Sequence, residues 1–173
     1  MSFESLPVFV EVRARADSES GECFGATAKQ VAEHDGSCVY GWLIWEWPGI
    51  LIEAEFHAVW QQPNGTLLDV AKKDDGESVV LFLPDPSKSF EGVRVDSIRL
   101  PIGKNPAIKT LIAGKERFYR LFQQKHGNAT GHVVLDGDLA DLHDQLAVLS
   151  HQLSVSREAI RGWSLFSRKQ RLR

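Results

Sequence analysis

Apolar and polar positions alternate first over residues 8–13 (VFVEVR), the two-residue period of a strand with one face turned inward. A polar stretch from Asp17 to Glu22 leads into a pattern of helical period from about Cys23 to His34. Strand-like runs follow: CVYGWLIWEW, ILIEAEFHAVWQ, TLLDVAKK and SVVLFLP, separated by Pro48-Gly49, Pro63-Asn64-Gly65 and Asp74-Asp75-Gly76. This order predicts an antiparallel meander. Pro84, Pro86 and Pro101 mark a loop, after which Asn105-Pro106 has the residue types of an N-cap and a first-turn proline. The amphipathic helix opened there carries Ile108, Leu111, Ile112, Phe118, Tyr119 and Phe122 on its buried side and stops at Gly127. A last helix is expected from about Asp136 to His151, with Leu139, Leu142, Leu146, Leu149 and Leu153 at alternating three- and four-residue steps.

The pattern as a whole predicts an α+β fold, with an N-terminal helix packed on an antiparallel β-meander and helices after it. The chain has 173 residues, within the ordinary size of one domain. Residues 1–103 are expected to form the α+β core, and 104–173 a helical C-terminal extension packed on the same domain. Core packing is the first use of the leucine stripe. A dimer or partner contact through the Leu139–Leu153 helix is the other, although two heptads are too few to define a coiled coil.

Composition narrows the class without naming a reaction. Hydrophobic residues make up 43% and charged residues 25%, and no apolar run approaches the length that spans a bilayer, so a soluble globular protein is expected. The first residues lack a basic segment followed by an apolar core, which predicts no signal peptide and a cytoplasmic location. Cys23 and Cys38 lack C-x-x-C spacing and are too few for a disulfide framework, so both read as free thiols. A net charge of -3 speaks against nucleic-acid binding by the body of the protein. The basic residues Arg168, Lys169, Arg171 and Arg173 read as a solvated tail.

Candidate chemistry concentrates in the meander. In ILIEAEFHAVWQ the even positions Ile52, Ala54, Phe56, Ala58 and Trp60 are apolar, while the odd positions Glu53, Glu55, His57 and Gln61 are polar, Val59 being the exception, so His57 is expected to face away from the core. The same reasoning puts Asp69 opposite Leu68 and Val70. Whether His57 and Asp69 meet depends on the turn between them. A two-residue Asn64-Gly65 turn would set them on opposite faces and leave Pro63 in a paired position that wants an N–H. A three-residue loop instead puts Pro63 and Asn64 in a type I turn and Gly65 at the left-handed position. That register sets His57 opposite Ala71 and Val59 opposite Asp69, one diagonal step from His57 on the same face.

Cys23 completes the set. A thiol attacks as the thiolate, which the partial positive charge of a helix N-terminus favours, and the unpaired backbone N–H groups there can also receive an oxyanion. His57 would take the thiol proton and return it to the leaving group, while Asp69 would hold the imidazole tautomer. Alone, Cys23 reads as a buried structural thiol and His57 as a surface or satisfied histidine. The Cys-His-Asp order on a helix start and two adjoining strands is what points to catalysis.

The order GEC-helix, EFHAVW and GTLLDV, over about residues 21–73, resembles the core of transglutaminase-like proteins. The resemblance implies a papain-like fold and hydrolase or acyltransferase chemistry at a cysteine nucleophile: amide or peptide hydrolysis, cross-linking, or acyl transfer through a thioester. It gives Cys23 as nucleophile, His57 as base and Asp69 as orienting acid, with a peptide or protein amide as substrate. Phe24 supplies the aromatic residue usual after the cysteine. The short interval from His57 to Asp69 departs from the family pattern.

The remaining motifs are weaker. Of Trp42, Trp45, Trp47 and Trp60, only Trp42 is expected to face a substrate cleft, and Glu55, on the strand face of His57, is the second substrate-binding candidate. Glu53, Glu55 and His57, with Asp69 across the hairpin, form an alternative metal-ligand set. A zinc site generally wants more nitrogen or sulfur donors than one histidine offers. Phosphate-loop and dinucleotide glycine patterns are absent from the sequence, and no cofactor is expected. A non-catalytic protein-binding module of the same fold is the further alternative.

Overall fold

The computed structural model describes residues 5–74, 76–127 and 133–161, with side chains as far as residue 155. The fold is mixed α+β. Its elements are β1 (Val8–Val12), α1 (Cys23–His34), β2 (Ser37–Trp47), β3 (Leu51–Gln61), β4 (Leu67–Asp69), β5 (Val79–Pro84), β6 (Ile98–Pro101), α2 (Pro106–His126) and α3 (Gly137–Arg161). They fall into two compact units, one built from the chain up to Trp45 with Ala54–Ser97, the other from Glu46–Glu53 and the chain from Ile98 onward. No helix among the described residues is long and apolar enough to cross a membrane.

In the first unit the strands run β2-β5-β1-β4-β3, and β2 also pairs with β3, so the pairing forms a ring. The expected helix-then-meander order is corrected in two ways. The first helix follows a strand instead of opening the fold, and that strand inserts between β4 and β5, parallel to β4 (Val12↔Asp69) and antiparallel to β5 (Val10↔Val80). An open meander leaves one face to solvent, whereas a ring turns one face of every strand inward. Val10, Leu43, Trp45, Val59, Val80 and Phe82 form that interior. The opposite face of β3 and β4 packs Trp60, Leu68 and Val70 against Ala26 of α1. Thus β3 is buried on both faces, and the expectation that His57 faces away from the core does not hold: its ring shares the parity of interior Val59.

The hairpin between β3 and β4 has the expected register. Trp60 pairs with Leu68 and Gln61 with Leu67, the Gln62 carbonyl accepts from Gly65 N–H at 2.8 Å, and Gly65 has φ 86°. Pro63 and Asn64 therefore occupy the turn, and the left-handed glycine returns the chain without a Cβ clash. α1 also has the span that its pattern predicts. It ends in Asp35 and Gly36, both at positive φ, where Trp60 Nε1 donates to the Asp35 carbonyl at 2.8 Å. A Cβ on Gly36 would collide with the Gln61 carbonyl oxygen, so glycine is required for the end of α1 to lie this close to β3.

In the second unit, Ile50, Leu51, Ile108, Leu111 and Leu153 form a core to which Ile112, Leu146 and Leu149 add. The stripe leucines of α3 are packed inside this unit, the use that core packing predicts for them. α2 starts as expected, with Asn105 Oδ1 accepting from Ala107 N–H at 3.0 Å, and ends on Gly127. α3 runs on past His151 to Arg161 because no glycine or proline interrupts residues 138–161. β6 lies in a segment read as loop: its four residues, mostly exposed, carry too short an alternation to register as a strand. The basic residues Arg168, Lys169, Arg171 and Arg173 lie outside the described residues.

Candidate functional site

Local chemistry fixes Asp69 before any partner reaches it. Its carbonyl accepts from Arg13 N–H at 2.8 Å, on the β1 side, and its Oδ1 accepts from Ala71 N–H at 3.0 Å. That side-chain turn ends β4 at Asp69, which is why the expected run to Lys73 is cut short. The second carboxylate oxygen is left to face His57, whose Nε2 lies 3.0 Å from Asp69 Oδ2. The two residues lie beyond the last ladder pair of β3 and β4, Trp60↔Leu68, as the three-residue loop requires.

Cys23, the first residue of α1, lies close enough to His57 for its side chain to act on the charge of the ring. With Nε2 turned to Asp69, the other ring nitrogen, Nδ1, is the one that can serve the thiol. Thr27, one turn along and fully buried, donates from Oγ1 to the Ala58 carbonyl at 3.3 Å. This bond fastens α1 to β3 beside His57. Glu22, the N-cap, makes no side-chain capping bond, so no cap side chain occupies the first-turn N–H groups of α1. Arg15 braces the approach to the helix through Asp17 at 2.9 Å, Gln30 at 2.8 Å and Glu33 at 2.8 Å.

The trio is nearly closed to solvent: Cys23 and His57 are each 6% exposed and Asp69 is 0% exposed. Burial alone would push the imidazole toward its neutral form. The charge of Cys23, together with the hydrogen bond and charge of Asp69, outweighs it and holds His57 at about 9. For Asp69, burial favours the protonated acid, but the hydrogen bond and charge of His57 and the charge of Lys73 hold the carboxyl at about 2. At neutral pH the pair is therefore an imidazolium and a carboxylate. Burial pushes the Cys38 thiol up, against a bond to Tyr40 that lowers it.

The sequence pattern did not single out Lys73 or Thr27. Lys73 Nζ lies 2.6 Å from Asp69 Oδ2 and 3.5 Å from His57 Nε2, and its side chain is only 9% exposed. The one available signal was a lysine four residues after the candidate acid. Thr27 had a signal too, a hydroxyl one helical turn from the candidate nucleophile.

Other candidates lie elsewhere. Trp42, expected to face a cleft, is buried; its indole N–H donates to Asp85 Oδ2 at 3.0 Å and its ring packs on Phe56. Glu55 accepts from Trp45 Nε1 at 2.8 Å. Glu53, in the second unit, is paired with Arg99 at 2.9 Å and Lys115 at 3.2 Å. The alternative metal set of Glu53, Glu55, His57 and Asp69 is not gathered, and no group of three or more His, Cys, Asp or Glu among the described residues could hold a metal ion. Next to Cys23, Phe24 stacks on Phe90 with ring centroids 3.9 Å apart and also meets Phe56 and Tyr40. Compared with protein-family models, curated proteins and solved structures, the chain matches none.

Proposed function

We propose that the chain is a thiol-dependent amide or peptide hydrolase, or an acyltransferase, that works through a thioester on Cys23. The observation that carries this reading is the buried His57–Asp69 pair at 3.0 Å, with Cys23 at a helix N-terminus close enough to act on the charge of the ring. The imidazolium of His57 holds at Nδ1 the proton taken from the thiol, and the thiolate sulfur forms a bond to the carbonyl carbon of the amide. The C=O electron pair becomes an oxyanion facing the first-turn N–H groups of α1. Collapse breaks the C–N bond as His57 returns the proton to the departing amine, leaving a thioester. Water gives hydrolysis and a second amine gives transfer, in each case with His57 taking the proton of the attacking group.

A transglutaminase-like, papain-like assignment fits this order of groups, and a cytoplasmic location would keep the thiol reduced. Asp69 keeps the imidazole oriented and stabilises its charged form when that form arises. The burial of all three side chains supports a second reading, in which the trio is a polar network inside a non-catalytic binding module.

An activated ester separates the two. With p-nitrophenyl acetate, intact-mass analysis of the wild type should show a hydroxylamine-labile acetyl group on Cys23, and neither Cys23→Ala nor His57→Ala should acquire it. Acetylation of Cys38 alone, or of neither thiol, would refute the catalytic reading and leave the binding module.

A further inference from the structure

Asp69 Oδ2 has two cationic partners, where orienting a histidine needs one. Lys73 Nζ sits 2.6 Å from that oxygen and His57 Nε2 sits 3.0 Å from it, with the two nitrogens 3.5 Å apart. Lys73 is not a surface lysine that happens to reach inward, since its side chain is 9% exposed and Asp69 is wholly buried. Burying an ammonium is unfavourable unless a carboxylate faces it, so the Lys73–Asp69 pair is itself held by good geometry. Among the described residues, the titratable groups that act on the ring are Cys23 from α1, Asp69 from β4 and Lys73 from the segment after β4. Two of these favour the charged imidazole. Lys73 opposes it, as a positive charge at the nitrogen whose N–H donates to Asp69.

We propose that Lys73 is a positioning residue of the site, acting through Asp69 and His57. Its ammonium pins Asp69 Oδ2 and keeps it ionised, and by lying against His57 Nε2 it weakens the imidazolium so that the ring releases its proton. Its part in returning that proton to a leaving group rests on the thioester reading above; its electrostatic effect on His57 does not. A lysine that only filled space would leave the titration of His57 unmoved once an uncharged side chain of similar length replaced it.

The test is the NMR titration of the His57 ring in the whole protein, with acetylation of Cys23 followed alongside. In Lys73→Met the His57 midpoint should rise by at least about one pH unit, the shift that removing a unit charge about 3.5 Å away gives even at the dielectric of bulk water. Lys73→Gln should move it the same way and stands in if the methionine variant does not fold. Lys73→Arg keeps the charge and should leave the midpoint at the wild-type value. An unchanged or lower midpoint in both neutral variants, or an equal rise in Lys73→Arg, would overturn the proposal. A rise in the neutral variants without any acetylation of wild-type Cys23 would refute the thioester reading but uphold the electrostatic role. Acetylation of the wild type with no rise would do the reverse.

Discussion

Replacing Asp69 by Asn removes one negative charge from the most buried point of the site and changes little else in shape. Asn can still accept from Ala71 N–H, but His57 Nε2 and Lys73 Nζ lose the carboxylate they share at 3.0 Å and 2.6 Å. The size of the loss follows from the carboxyl itself, held at about 2 in the fold against an ordinary value of 3.8. A difference of nearly two pKa units corresponds to about 2.5 kcal/mol of folding free energy. The folded value is depressed, so this contribution is fully present above pH 4 and is lost as pH falls through 2. The unpaired Lys73 ammonium adds to the cost at neutral pH, for a total destabilisation of about 3–5 kcal/mol. Urea unfolding of wild type and Asp69→Asn should show that difference at pH 7. At pH 3 the gap should narrow by about 1 kcal/mol, because protonation of Asp69 in the unfolded wild type removes part of the charged-state advantage. A gap that is small at pH 7, or the same size at both pH values, would refute the claim that the folded protein is organised around an ionised Asp69.

Four further outcomes follow from the same contacts. Cys23→Ala should lower the NMR midpoint of His57 well below its value of about 9, because Cys23 supplies the largest influence opposing burial; an unmoved midpoint would contradict that contact. The elevated His57 value makes its contribution to stability complete below pH 6.5 and lost as pH rises through about 9, so denaturant midpoints should fall over that window in wild type but not in His57→Gln. Thr27→Val keeps the shape but removes the bond to the Ala58 carbonyl, and should destabilise the fold by about 1–3 kcal/mol in urea titrations and slow alkylation of Cys23; unchanged alkylation would show that the bond does not place the thiol. Glu53→Gln leaves the Arg99 and Lys115 cations without their carboxylate and should reduce stability by about 3 kcal/mol, read as a lower denaturant midpoint, with Cys23 acetylation in the folded protein unchanged.

Much of this geometry was legible where the physics is local. Pro63 cannot donate to a ladder and Gly65 accepts a left-handed conformation, so the hairpin register, and with it the nearness of His57 and Asp69, followed from three residues. The ends of α1 and the start of α2 were equally local, set by a polar lead-in and by Asn105-Pro106. What the pattern could not give was long-range pairing. The alternation of VFVEVR identifies a strand but not its place between β4 and β5, and that insertion is what turns the odd face of β3 inward and buries His57. Lys73 was invisible for a related reason. An alternating pattern carries the chain on as a strand through TLLDVAKK, whereas the bond from Ala71 N–H to Asp69 Oδ1 turns it and brings the lysine back onto the carboxylate. Trp42 looked like a cleft residue because nothing in its own strand shows that Asp85 would accept its indole N–H.

Burial and activation make opposite forecasts for the two thiols, and alkylation by iodoacetamide at neutral pH decides between them. Cys23 is 6% exposed, whereas Cys38 is more open but its thiol is pushed up by burial. If His57 takes the Cys23 proton, Cys23 should react much faster than Cys38 in the folded protein, and His57→Ala should slow Cys23 alone. Labelling of Cys38 first, with Cys23 inert until the protein unfolds, would contradict the account.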